Sequence, residues 1–257
     1  MIKKKVEVSP YFNEYKEWLE ALDANFDKEG ELIYSGRNNV KKFNQGKVCL
    51  NVKSFKTPNM VNKFVYGHLR DSKAKRSYDY ATRLLSYGVA TPTPIGYVEI
   101  YKNGLFFKSY YISIQHVYDF TIREVLEYHV SNREAIMSQF IDYTFEKIHK
   151  NGVFHLDYSP GNILINMKED GMFDFSLIDL NRMKFMEIDY KKGLYNLRQF
   201  DADKETLIQM GMLYARKWRK DPDEGARLLI EFDHAYKHKR VVKHRYKRFF
   251  KVLRFWK

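Results

Sequence analysis

The chain has 257 residues, 44% hydrophobic and 16% aromatic, enough apolar material for a packed core, which excludes a disordered polymer even at 30% charged residues. Its single cysteine, Cys49, excludes a disulfide framework and a zinc site, and in the run Val48-Cys49-Leu50-Asn51-Val52 it reads as a small buried hydrophobe. The net charge of +13 is mainly a tail property, since residues 235–257 hold ten Lys or Arg and no acid; the remainder lacks a spread basic face, so nucleic acid is not the expected partner.

The length suits two lobes sharing one cleft. The opening Met1-Ile2-Lys3-Lys4-Lys5 leads into residues 6–10, which are too short and too polar for the apolar core of a signal peptide. No stretch of eighteen apolar residues follows, so the expected setting is cytoplasmic and reducing, without a membrane span. Residues 11–26 carry a helical pattern. A strand-like series begins at residues 31–36, and residues 40–43, the turn Asn44-Gln45-Gly46 and residues 47–55 predict a hairpin, giving three antiparallel strands.

A helix over 72–87 stops at Gly88, and Thr91-Pro92-Thr93-Pro94 forces an extended connector. Strands over 95–101 and 105–114, joined at Lys102-Asn103-Gly104, complete a five-stranded sheet. From Thr121 onward helices dominate: Thr121-x-x-Glu124 has capping-box spacing, and residues 133–150 form one periodic helix stopped at Gly152. The expected boundary lies near 117–120. On a helical wheel of residues 246–257, Tyr246, Phe249, Phe250, Leu253 and Trp256 fall on one side, with Lys247, Arg248, Lys251 and Arg254 largely opposite. That basic amphipathic helix suits either an anionic membrane surface or packing on its own domain.

The chemistry concentrates in residues 151–165, a helix end, a polar loop and an apolar strand, with His155-Leu156-Asp157 followed five residues later by Asn162. In phosphoryl transfer an aspartate orients the attacking hydroxyl, and an asparagine a few residues on ligates magnesium beside the phosphates. Asp157 and Asn162 fit those roles. Residues 173–178 read as a strand ending on Asp179, the expected principal magnesium ligand, whereas Asp174 lies within the strand on a solvated face. His155 reads as a loop brace and His149 as packing. Lys53, after the apolar run of the third strand, is the expected cation on the nucleotide phosphates, and Gly36-Arg37-Asn38-Asn39 the expected phosphate-covering turn, with Gly36 its one glycine.

Together, Lys53 in Asn-Val-Lys-Ser-Phe, Gly88-Val-Ala-Thr-Pro-Thr-Pro, His155-Leu-Asp, Asn162-Ile-Leu and Ile178-Asp-Leu-Asn-Arg182 resemble the lipopolysaccharide kinase family, the Kdo and heptose kinases. The resemblance implies an α+β, two-lobed protein-kinase-like fold. Its N-lobe (1–118) would be a five-stranded antiparallel sheet plus helix, and its C-lobe (119–257) mostly helical. It further implies ATP and Mg2+ as cofactors and transfer of the γ-phosphate to a sugar hydroxyl of the lipopolysaccharide core or lipid A glycolipid. The implied place of work is peripheral, on the cytoplasmic face of the inner membrane of a Gram-negative bacterium.

Two departures stand out. Kinases pair the strand lysine with a glutamate on the next helix, but residues 72–87 hold none; Asp79 is the one acid there and becomes the expected partner of Lys53. Asp179-Leu180-Asn181 replaces the Asp-Phe-Gly of protein kinases, which argues for a permanently formed metal site. A kinase of the same fold with a protein or other small-molecule acceptor, and a membrane-docking pseudokinase-like module, are the competing readings.

Overall fold

A computed structural model describes residues 1–57, 70–128, 130 and 132–254, with backbone alone at 244 and 247–254. The chain divides into two compact units: residues 1–117 with 176–181, and residues 118–175 with 182–257. Both α-helices and antiparallel sheets are present. No helix among the described residues is long and apolar enough to cross a membrane.

The first unit is built on a six-stranded sheet in the order β1-β5-β6-β4-β3-β2, one strand more than the five expected. The extra strand is β1 (Ile2–Val8), which pairs antiparallel with β5 (Pro94–Lys102). Its three consecutive lysines hide the alternation, and they suit an edge, where lysine blunts pairing with another chain. Val6 and Val8 still turn toward the core. A Cβ on Gly96 would collide with the Glu7 carbonyl, so this glycine lets β1 dock closely.

A 3₁₀ segment (Pro10–Tyr15) and α1 (Lys16–Asn25) follow, then β2 (Glu31–Ser35), β3 (Asn39–Gln45) and β4 (Val48–Phe55). Helix α2 (Lys73–Ser86) is capped by the Ser72 side chain, which accepts from the Lys75 amide at 3.0 Å. β5 and β6 (Leu105–Ile114) turn through Asn103 and Gly104, both at positive φ, which matches the handed twist of a tight hairpin. One sheet face packs on α1: Leu19, Leu22 and Phe26 meet Phe43, Leu50, Val52, Val98 and Ile112 in a continuous buried cluster. By alternation Lys53 lies on the other face, opposite Tyr111, and Tyr111 in turn opposes Tyr97. The Tyr97 ring sits 5.6 Å from that of Tyr78 on α2, so Lys53 and α2 share a face.

The second unit opens with β7 (Phe120–Thr121) and α3 (Ile122–Glu127), whose capping box forms as its sequence predicts, the Thr121 amide donating to Glu124 Oε2 at 2.6 Å. α4 (Arg133–Tyr143) is shorter than expected: from Thr144 to His149 the chain widens into π-type turns. β8 (Val153–His155), a 3₁₀ turn (Pro160–Asn162), β9 (Ile163–Met167), β10 (Phe173–Leu177) and β11 (Met183–Phe185) come next. Helices α5 (Tyr190–Leu197), α6 (Lys204–Lys217) and α7 (Pro222–Arg254) complete it. Its core gathers around Phe140, whose ring lies 5.2 to 5.9 Å from those of Phe200, Phe175 and Tyr158. Tyr246 is exposed, but the side chains of Phe249, Phe250, Leu253 and Trp256 lie outside the described residues.

Candidate functional site

In the first unit Lys53 Nζ meets Asp179 Oδ1 at 2.6 Å, and the Asn181 amide donates to the same oxygen at 2.6 Å. Two backbone decisions place that carboxylate. The segment leaving β10 is pinned by the Leu177 amide donating to the Ala90 carbonyl at 2.9 Å and by the buried Thr91 hydroxyl donating to the Leu177 carbonyl at 2.7 Å. Asp179 itself then adopts φ +57, a left-handed conformation that costs an aspartate free energy and concentrates at functional sites. The side chains of Lys53 and Asp179 are only 18% and 28% exposed, so water solvates neither fully and each depends on its partner.

The pair expected between Lys53 and Asp79 does not form. Helix α2 buries Ala74, Ser77, Ala81 and Leu84 along one stripe, and Asp79 lies off it, bonded to Lys75 of its own helix at 2.6 Å. That stripe, Ala74, Ser77, Ala81 and Leu84, carries no charge. Gly36 sits in the tight turn between β2 and β3, its amide donating to the Asn38 carbonyl at 3.2 Å. Asn38 Oδ1 accepts from the Lys56 amide at 3.3 Å, tying this turn to the end of β4.

In the second unit the loop after β8 carries Asp157 and Asn162. His155 is fully buried, and its Nδ1 accepts the Asp157 amide at 3.1 Å, the bracing role the sequence suggests. The Asn162 side-chain amide donates to the Asp157 carbonyl at 2.8 Å, and Arg182 Nη1 donates to Asp157 Oδ2 at 3.2 Å. From below, Asn196 donates to the His155 carbonyl at 2.8 Å, and Gln199 to the Leu156 carbonyl at 3.2 Å. The Asn196 carbonyl oxygen lies 3.2 Å from His149 Nε2, while Tyr214 holds His149 Nδ1 at 2.7 Å. Burial pushes the His149 pKa down to about 4, so it stays neutral and structural. Gly152 has φ +69, and a Cβ there would come within 2.7 Å of the Met186 carbonyl, so only glycine lets β8 enter this way.

Asn181 and Arg182 entered the sequence reading only as part of the Ile178-Asp-Leu-Asn-Arg182 motif, with no role of their own, and Asn196 and Gln199 not at all. Their roles come from where α5 and the turn after β10 fold back, and their residue types alone carry no signal. Asp174 is exposed and paired with Lys168 at 2.8 Å, which fits a solvated strand face. Magnesium favours oxygen donors and keeps several ligands from water and phosphate. The Asn162 nitrogen is committed to a backbone carbonyl, which makes its oxygen the donor atom, and Asp179 supplies an anionic carboxylate, so both residue types fit that ion. Among the described residues no group of three or more His, Cys, Asp or Glu gathers as a self-sufficient metal cage.

Comparison with known proteins gives one family: the lipopolysaccharide kinase (Kdo/WaaP) family model matches residues 34–212, a range that includes Lys53, Asp157, Asn162 and Asp179. Among solved structures the chain is similar to one described as WaaP in complex with acyl carrier protein. The two share 16% identity over 91% of this chain and 98% of that one, with a TM-score of 0.60, a likeness of fold. No curated protein matches the chain.

Proposed function

The chain belongs to the lipopolysaccharide kinase (Kdo/WaaP) family, which makes it a phosphotransferase, and we propose that it transfers the γ-phosphate of ATP to a sugar hydroxyl of the lipopolysaccharide inner core, Kdo or heptose. The observation that carries this reading is the 2.6 Å bond between Lys53 of the third sheet strand in sequence order after β1 and the Asp179 carboxylate. A strand lysine paired with a carboxylate that follows an apolar strand is the pairing that nucleotide phosphates and their metal exploit.

In this reading Lys53 fixes the α- and β-phosphates, and Asn162 and Asp179 hold magnesium. The ion, when bound, neutralises charge on the phosphates. Asp157 accepts a hydrogen bond from the attacking hydroxyl and aims its oxygen in line with the phosphorus, while Arg182 holds the orientation of the Asp157 carboxylate. No covalent enzyme intermediate is needed. The lobes of a kinase, the boundary near 117–120 and a peripheral seat on the inner membrane through the basic tail belong to the same proposal. The tail's charge supports the last of these.

Incubating the protein with labelled ATP, magnesium and Kdo-lipid A or core fragments tests the reading. Label in the glycolipid supports it, label in protein moves the acceptor, and label nowhere leaves a pseudokinase-like binding module.

A further inference from the structure

Lys73 lies in the first turn of α2, and among the described residues no carboxylate is within ion-pair distance of it. Its ammonium lies 5.9 Å from the centre of the Phe55 ring, and that of Lys53 lies 5.6 Å from the same ring. The two lysines therefore address one patch of the first unit. Burial, then Arg37 of the turn after Gly36, then Arg76 of α2 hold the Lys73 ammonium below the usual lysine range, with Asp179 opposing them. Three separate stretches, the Gly36 turn, β4 and α2, thus bring Arg37, Lys53 and Arg76 within electrostatic reach of Lys73, with Asp179 the acid that acts on it.

Like charges collected in this way repel one another in the free protein, and the field they produce is the complement of a polyanion. The helix contributes a lysine to this patch where the expected partner of Lys53 was an acid. We infer that Lys73 is a second phosphate-binding lysine of the nucleotide site, acting beside Lys53 on the phosphates of ATP, with Arg37 and Arg76 strengthening the field. The inference rests on the kinase reading given above. A phosphate could come from the nucleotide or from a phosphorylated glycolipid; the presence of Lys53 and Asp179 in the same patch commits it to the nucleotide. Lysine suits the role as a compact point charge on a long stem.

The test is calorimetric titration of the full chain with ATP, with adenosine and with a lipid A-type glycolipid. Replacing Lys73→Gln should weaken ATP binding about tenfold, the size of one lost charge-assisted hydrogen bond, and leave adenosine and glycolipid affinities unchanged. Lys75→Gln, on the same helix, should change none of the three. If the wild type binds ATP and Lys73→Gln binds it equally well, the inference falls and the kinase reading stands. An equal fall in adenosine affinity, or a loss confined to the glycolipid, also overturns it. A wild type that does not bind ATP overturns the kinase reading and this inference with it.

Discussion

Lys53 and Asp179 meet at 2.6 Å although 126 residues separate them in the chain. Because both are largely shielded from water, removing the carboxylate strands a cation and, in the proposed reading, takes away a magnesium ligand in the same step. Asp179→Asn is expected to lower turnover by about a hundredfold or more and to abolish the magnesium dependence of ATP binding. ATP titrations with and without magnesium check this; an unchanged magnesium effect rejects the assigned ligand.

Asp157→Ala should abolish transfer, a loss of at least about a hundredfold, while leaving ATP affinity within about threefold of wild type. Arg182→Gln, which loosens Asp157 without removing it, should cost about tenfold in kcat with little change in KM for ATP. Normal turnover in Asp157→Ala would sink the catalytic assignment.

Thr91 offers a test of positioning at a distance from chemistry. Its buried hydroxyl donates to the Leu177 carbonyl at 2.7 Å, so Thr91→Val keeps the shape and leaves that carbonyl unpaired. The expected cost is about 1 to 3 kcal/mol in chemical denaturation, with kcat falling because one of the two bonds that pin the Asp179 segment is lost. Thr91→Ser should restore both.

His149 sets an acid limit on stability. Folded, it takes a proton only near pH 4; unfolded, near its ordinary 6.5, so the unfolded chain binds the proton first as pH falls. Its contribution is constant above pH 6.5 and is lost between there and 4, amounting to about 3 kcal/mol by pH 4.5. Denaturation midpoints measured from pH 7.5 to 4.5 should show a slope that His149→Gln flattens. Equal slopes in both proteins would contradict the assignment.

Deleting residues 244–257 should weaken binding to vesicles containing anionic lipid by about tenfold or more, and the wild-type affinity should fall with salt. Unchanged vesicle binding rejects membrane docking by the tail.

Where the sequence was legible, a period or a turn carried the signal. The hairpin of β3 and β4, the β5 to β6 turn at Asn103-Gly104 and the Thr121 to Glu124 capping box all follow local chemistry, and each forms as read. β1 escaped because Lys3, Lys4 and Lys5 mask a strand whose inward apolar residues, Val6 and Val8, face a core made of distant residues. The mispairing of Lys53 was avoidable. Residues 74, 77, 81 and 84 define the inward stripe of α2, and Asp79 falls well round the wheel from it. Arg182, Asn196 and Gln199 could not be found this way, since their partners are backbone groups or a carboxylate brought near only by the folded chain.

The excursion of residues 176–181 into the first unit has a consequence for biosynthesis and for dissecting the protein. A nascent chain that has emerged only to residue 117 contains the whole six-stranded sheet yet lacks the strand end that Ala90 and Thr91 grip and the carboxylate that Lys53 needs. The amino-terminal unit is therefore completed only after residues 176–181 have left the ribosome, so its final closure waits on chain that follows β8 and β9. A fragment cut at residue 117 should express as an unstable sheet with an orphaned lysine, and a faithful dissection has to carry residues 176–181 back on a linker.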